Sequence, residues 1–124
     1  MREILFRGKR MDDGEWVEGY LVKAVGGECM ILPVTTEHCG GAEFSEGYHC
    51  DPTTVGQYTG LKDKNGKRIF EGDILSLRTG RPHVVRFEDG AFILEDSAIP
   101  MRFAIKFEII GNIHDNLELL KEEA

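Results

Sequence analysis

Cysteine is scarce in this 124-residue chain: there are three, an odd number that leaves no complete disulfide framework and suits a reducing cytoplasm. Long hydrophobic runs are lacking as well, and none approaches the ~20 residues of a membrane helix. The start, Met1-Arg2-Glu3, has no apolar core, and Leu5-Phe6 stops at Arg7, so a secretory signal is not expected. Basic residues are outnumbered 15 to 22, giving a net charge of −7. That balance argues against a general nucleic-acid binder, which usually presents a basic face. Also absent are a Walker A loop, a dinucleotide fingerprint, a nucleophile elbow and an HExxH helix. The expectation is a cytoplasmic protein that is not an enzyme.

What is present is an ordinary globular composition, 41% hydrophobic and 30% charged. The length fits a single domain over residues 1–124, with a small subdivision near 35–53 as the alternative. Glycine is plentiful at 15 residues, as many short strands joined by tight turns require. The densest example is the run VGQYTGLKDKNGKRIFEGDI at 55–74. Asp63-Lys64-Asn65-Gly66 predicts a tight I′ hairpin turn, because Asn-Gly tolerates positive φ. Glu71-Gly72-Asp73 predicts a second turn, flanked by the β-type residues Ile69-Phe70 and Ile74-Leu75. The run predicts a small twisted β-sheet.

The rest of the chain reads the same way. Residues 2–7 alternate as a first strand, with Ile4 and Phe6 opposite Glu3, Leu5 and Arg7, and Asp12-Asp13-Gly14 is a hairpin turn. Residues 15–24 alternate Trp16, Glu18, Tyr20 and Val22 against Val17, Gly19, Leu21 and Lys23, an aromatic-enriched strand with a bend at Gly19. After Gly26-Gly27, Met30-Ile31-Leu32 predicts a strand buried on both faces. Residues 35–53 form a long irregular loop with Gly40-Gly41, Gly47 and Asp51-Pro52. Thr79-Gly80-Arg81-Pro82 and Glu88-Asp89-Gly90 mark further turns. Asp115-Asn116 before Leu117-Glu118-Leu119-Leu120 predicts a capped, short C-terminal helix. Ile69, Phe70, Ile74, Ile110 and Ile113 are the expected core between the central hairpin and the last strand.

Three side-chain groups bear on function. Cys29, His38-Cys39 and His49-Cys50 are the metal-like set, with Cys29, Cys39 and His49 as the conceivable zinc site. The two His-Cys pairs stand eleven residues apart, and neighbours on an extended chain point to opposite sides. The spacing therefore favours small buried cysteines with solvated histidines, and no cofactor or metal is expected. Glu71 and Asp73 form a carboxylate pair, but acids in such turns usually accept backbone N–H bonds.

The third group is the charge of the central hairpin. Residues 58–86 carry seven Lys or Arg against three acids, whereas 26–57 hold five acids and no cation. From residue 87 onward three cations face nine acids. Tyr58, Lys62, Lys64, Lys67 and Arg68 are thus the candidate contacts for a partner or a nucleic acid, since aromatics interleaved with cations stack on bases.

Several stretches resemble the YopX-like family of phage and prophage proteins. The N-terminal REILFRGKRMDDGEWVEGYLV resembles that family's opening, DPTTVGQYTGLKDKNGKRIFEGDIL its central signature, and EIIGNIHDNLELL its C-terminal one. The match is in order along almost the whole chain; Leu117 stands where many members carry Pro, and residues 29–50 depart most. The resemblance implies a phage origin in a bacterial cell and a mainly β fold of SH3-like barrel or roll type. It further implies a homo-oligomer, and it carries no catalytic residue across. The resulting expectation is a non-enzymatic protein-interaction module that binds a host or phage protein and has no membrane role. The alternative is a nucleic-acid-binding accessory protein using the basic 58–86 region.

Overall fold

The computed structural model describes residues 3–33, 47–77 and 81–120. Most of the irregular loop expected at 35–53, with His38 and Cys39, lies outside them, as does Thr79-Gly80. Within them the chain is mainly β. It runs through β1 (Phe6–Lys9), β2 (Trp16–Lys23), β3 (Cys29–Pro33) and β4 (Tyr48–Cys50) to a 3-10 turn at Pro52–Thr54. Then come β5 (Gly56–Lys62), β6 (Arg68–Phe70), β7 (Asp73–Ser76), β8 (His83–Glu88) and β9 (Ala91–Leu94). A second 3-10 turn, Met101–Lys106, precedes β10 (Glu108–Asn112), and a third follows at Leu117–Leu120. The chain divides into two units, Met1–Gln57 and Tyr58–Ala124.

In the first unit the strand order is β4-β3-β2-β1, and β1 also pairs with the first two residues of β5. All these pairings are antiparallel. Arg10 bridges Cys50, with Met11 N–H donating to the His49 carbonyl (2.8 Å) and Asp51 N–H to that of Lys9 (2.9 Å). β4 is thereby bonded on both sides. The period-2 alternation of β-strands puts Gly8, Gly19, Cys29, Ile31 and Cys50 on one, buried face. Met30 and Leu32 are only half-buried on the other, so β3 is not buried on both faces as its apolar run suggests. At the start of the chain, before β1, Leu5 is buried and Ile4 is 54% exposed.

Gly19 meets an unusually close neighbour. A Cβ there would lie 1.9 Å from the Leu32 carbonyl oxygen and 2.9 Å from Pro33 Cα. The glycine that the sequence marks as a bend is the point where β2 and β3 approach too closely for any side chain.

The second unit combines the β5–β6 hairpin with a four-stranded antiparallel sheet, β10-β7-β8-β9. Its core is Ile69, Leu75, Val85, Leu94, Ala104 and Phe107, with Leu61, Phe92, Ile99, Met101 and Ile109 packed around it. Phe70 and Ile74 are buried as expected, whereas Ile110 is 40% exposed. The reason is a bulge: Ile109 opposes Leu75 and Gly111 opposes Ile74, leaving Ile110 as the extra residue. Ile109 takes the core position instead.

Turn chemistry accounts for the connections, though not always in the expected type. Asp63 N–H donates to the Lys67 carbonyl and Gly66 N–H to that of Asp63, with Gly66 at φ +83° and Asn65 at negative φ. This is a three-residue loop with a type I turn and a left-handed glycine, not a I′ turn. The I′ signature falls at Asp89-Gly90, where both residues have positive φ (52° and 84°). Gly90→Ala is expected to cost about 1 kcal/mol, read as a lowered denaturation midpoint.

The C-terminal segment is a 3-10 turn, where the sequence suggested a capped helix. The side chain of Asn116 is engaged elsewhere: its Oδ1 accepts the Asn112 N–H (3.1 Å). Asn112 Oδ1 in turn accepts the N–H groups of His114 and Asp115. A Cβ at Gly111 would stand 2.6 Å from Asn116 Oδ1, so Gly-Asn-Ile-His-Asp-Asn is a self-bonded turn that requires its glycine.

Candidate interaction face

Position alternation on β2 sends Trp16, Glu18, Tyr20 and Val22 to the face of the first unit opposite its buried one. Across the ladder this row meets Lys9 and Arg7 of β1 on one side and Leu32 and Met30 of β3 on the other. The Arg7 guanidinium lies 4.6 Å from the Trp16 ring centre and the Lys9 ammonium 5.6 Å. Both lie within the ~6 Å reach at which a ring face attracts a cation. Tyr20 and Val22 stand 54% and 46% exposed further along the row, beyond Glu18. The indole is half-buried beneath these cations, and the row presents two aromatic rings and Val22, with Glu18 among them.

A second stack adjoins the β1–β2 turn. Arg10 lies 3.9 Å from the Tyr48 ring centre while its guanidinium donates two hydrogen bonds to Asp12 (2.9 and 3.1 Å). The bond from Arg10 holds the Asp12 carboxyl below its ordinary range, and the Arg10 pKa is raised in return. Both groups are at the surface, so the pair orders the turn more than it stabilises the fold.

The sequence-selected hairpin residues separate by environment. Tyr58 is 6% exposed, with its ring 5.6 Å from that of Phe70, so the ring is a core contact. Lys62, Lys64, Lys67 and Arg68 are exposed. Lys62 and Arg68 are directly opposed across the hairpin, and Arg68 reaches over Tyr58 at 5.8 Å. Asp63 holds the loop: its Oδ1 accepts the N–H groups of Asn65 (2.8 Å) and Lys67 (2.9 Å), and its Oδ2 that of Ile109 (3.0 Å). Burial alone would raise its pKa, but these three bonds and nearby Lys67 outweigh burial and hold it below the usual carboxylate range. Asp73, 1% exposed, likewise accepts the Phe70 N–H (2.7 Å).

Cys29 and Cys50, both buried with free thiols, are direct cross-strand partners between β3 and β4. Burial first, and Cys29 opposite second, push the Cys50 thiol up from its ordinary range. His49 is exposed one residue before Cys50, opposite Met30. Among the described residues no three His, Cys, Asp or Glu side chains come together as a metal site. Nor does any helix among them have the length and apolarity to cross a membrane.

Sequence reasoning picked out Trp16 and Tyr20 as aromatic strand residues but missed Arg7, Lys9 and the Arg10–Tyr48 stack. Cross-strand neighbours follow from register, and the i, i+2 spacing of Arg7 and Lys9 before an aromatic strand was the available signal.

Comparison with known proteins agrees with this architecture. The crystal structure of protein EF1440 from Enterococcus faecalis is similar to this chain, with a TM-score of 0.64 and 26% sequence identity. The likeness covers 98% of this chain and 100% of that one. No curated protein matches. The family model described as YopX protein matches residues 5–121, taking in the opening signature from Leu5 and all of the central and C-terminal ones. This chain belongs to the YopX family.

Proposed function

We propose that the chain is a non-enzymatic interaction module that docks a host or phage protein in the bacterial cytoplasm through the outer face of β1–β3. The observation that carries this reading is the exposed pair Tyr20 and Val22 on the same face as a cation-stacked Trp16. Aromatic residues held rigid at a surface supply contact area at little entropic cost, and Trp, Tyr and Arg dominate binding hot spots. The engagement of Asp63 and Asp73 by backbone N–H groups supports a structural, non-catalytic role for the central acids. The two-sided bonding of β4 supports reading the first unit as a barrel-like roll of SH3 type.

The test is co-purification from nuclease-treated host lysate with the wild-type chain and with Trp16→Ala/Tyr20→Ala. One host or phage protein retained by the wild type and lost, or weakened at least tenfold, by the variant is expected. Identical protein profiles with both baits, from a folded variant, would overturn the proposal.

A further inference from the structure

The basic hairpin does not end at its own loop. Lys64 N–H donates to the Phe107 carbonyl (3.0 Å), Lys64 Nζ lies 3.6 Å from Glu108 Oε1, and Ile109 N–H donates to Asp63. These bonds seat the loop against the chain that leaves the 3-10 turn Met101–Lys106, some forty residues later. Lys106, the neighbour of Phe107, brings Nζ to 5.8 Å from the Phe103 ring centre, and Arg102 stacks on the same ring at 4.9 Å. Phe103 itself is 37% exposed and Ile105 50%.

Lys62, Lys64, Lys67, Arg68, Arg102 and Lys106 therefore lie on one part of the second unit, all exposed. Of the acids on this surface, Asp63 is buried and occupied by three N–H groups, and Glu108 is paired with Lys64. The cations stand out on a chain whose total charge is −7. The sheet also tolerates Lys62 directly opposite Arg68, an arrangement that like charges normally disfavour. Such a local conflict is the kind of cost found where a surface serves a ligand.

We propose that this surface, formed by the β5–β6 hairpin and the Met101–Lys106 turn, binds single-stranded nucleic acid. The lysines and arginines meet the phosphates, and the exposed Phe103, with Arg102 and Lys106 close to its ring, offers the surface on which a base stacks. Charge complementarity selects a polyanion, and the exposed ring selects one with planar bases over an acidic peptide. The site uses none of the outer-face residues of the first unit and stands independently of the docking reading.

The experiment is fluorescence anisotropy of a labelled 20-nucleotide oligodeoxythymidylate over a salt series, with the full chain and folded variants checked by circular dichroism. Wild type is expected to bind with affinity falling steeply as salt rises. Lys62→Glu/Lys67→Glu and Arg102→Glu/Lys106→Glu should each weaken binding at least tenfold and flatten the salt slope, by about 0.7 per lost phosphate contact. Phe103→Ala should weaken it about five-fold or more with the slope unchanged, because stacking is not a charge effect. Tyr20→Ala, in the first unit, should leave it unaltered. Absence of salt-sensitive binding at 50 mM salt would overturn the proposal. So would binding indifferent to both charge reversals, or poly-glutamate of equal charge competing as well as the oligonucleotide.

Discussion

Gly19→Ala is expected to lower stability on the order of 4 kcal/mol or more, enough to leave a small domain largely unfolded. The cause is local and severe. The added Cβ would sit 1.9 Å from the Leu32 carbonyl oxygen, and the obstructing atoms belong to backbone, which cannot swing aside. Relief requires β2 and β3 to part at the Gly19–Pro33 pair, breaking the ladder that orders Tyr20 opposite Leu32 and Val22 opposite Met30. The matched control is Gly26→Ala, where a Cβ meets nothing within 4 Å and φ is not positive. That change should stay within about 0.5 kcal/mol of wild type. Urea denaturation of both measures the difference, and a Gly19→Ala protein as stable as the control would contradict the β2–β3 register.

Asp63→Ala is expected to cost about 2 to 3 kcal/mol, because it takes the acceptor from the N–H groups of Asn65, Lys67 and Ile109, three part-buried bonds. Asp63→Asn should cost less: its amide oxygen still accepts two of the bonds while its NH₂ opposes the third donor. The contribution has a defined pH dependence. The folded pKa lies below the unfolded value of about 3.9, so the stabilisation is complete above that value. It is lost as pH falls through the folded pKa. The gap between wild type and Asp63→Ala should therefore be constant near neutrality and narrow below about pH 4. Denaturation midpoints at pH 7 and at pH 3 read this directly. A gap that widens in acid would contradict the assigned hydrogen bonds.

The turns were the most legible part of the fold, because Gly66, Gly72, Gly90 and Gly14 all take positive φ that other residues resist. Which turn type each adopts was less legible. Asn65-Gly66 and Asp89-Gly90 look alike in sequence, yet only the second has both residues at positive φ. The bulge in β10 was not legible: the extra residue at Ile110 turns Ile109 to the core in its place, and alternation cannot anticipate it. The final helix failed for a similar reason. Asn116 was available as a cap, but its side chain bonds back to Asn112, and four residues are too few to sustain a helix without packing.

The functional surfaces divide in the same way. The exposed cations of the hairpin were visible as composition, but Tyr58 is used for the core through its contact with Phe70. The turn that supplies Arg102, Phe103 and Lys106 is joined to the hairpin by bonds across some forty residues of sequence, which no local pattern encodes. Likewise Cys29 and Cys50 are brought opposite one another by the β3–β4 register, not by their spacing.

The central claim, that the outer face of β1–β3 is the docking surface, is tested most directly by amide hydrogen exchange on the chain alone and bound to its co-purified protein. The account predicts slowed exchange in peptides covering Trp16–Lys23 and Phe6–Lys9, with the second unit unchanged. Slowing confined to the second unit, with those two strands exchanging as in the free chain, would contradict it.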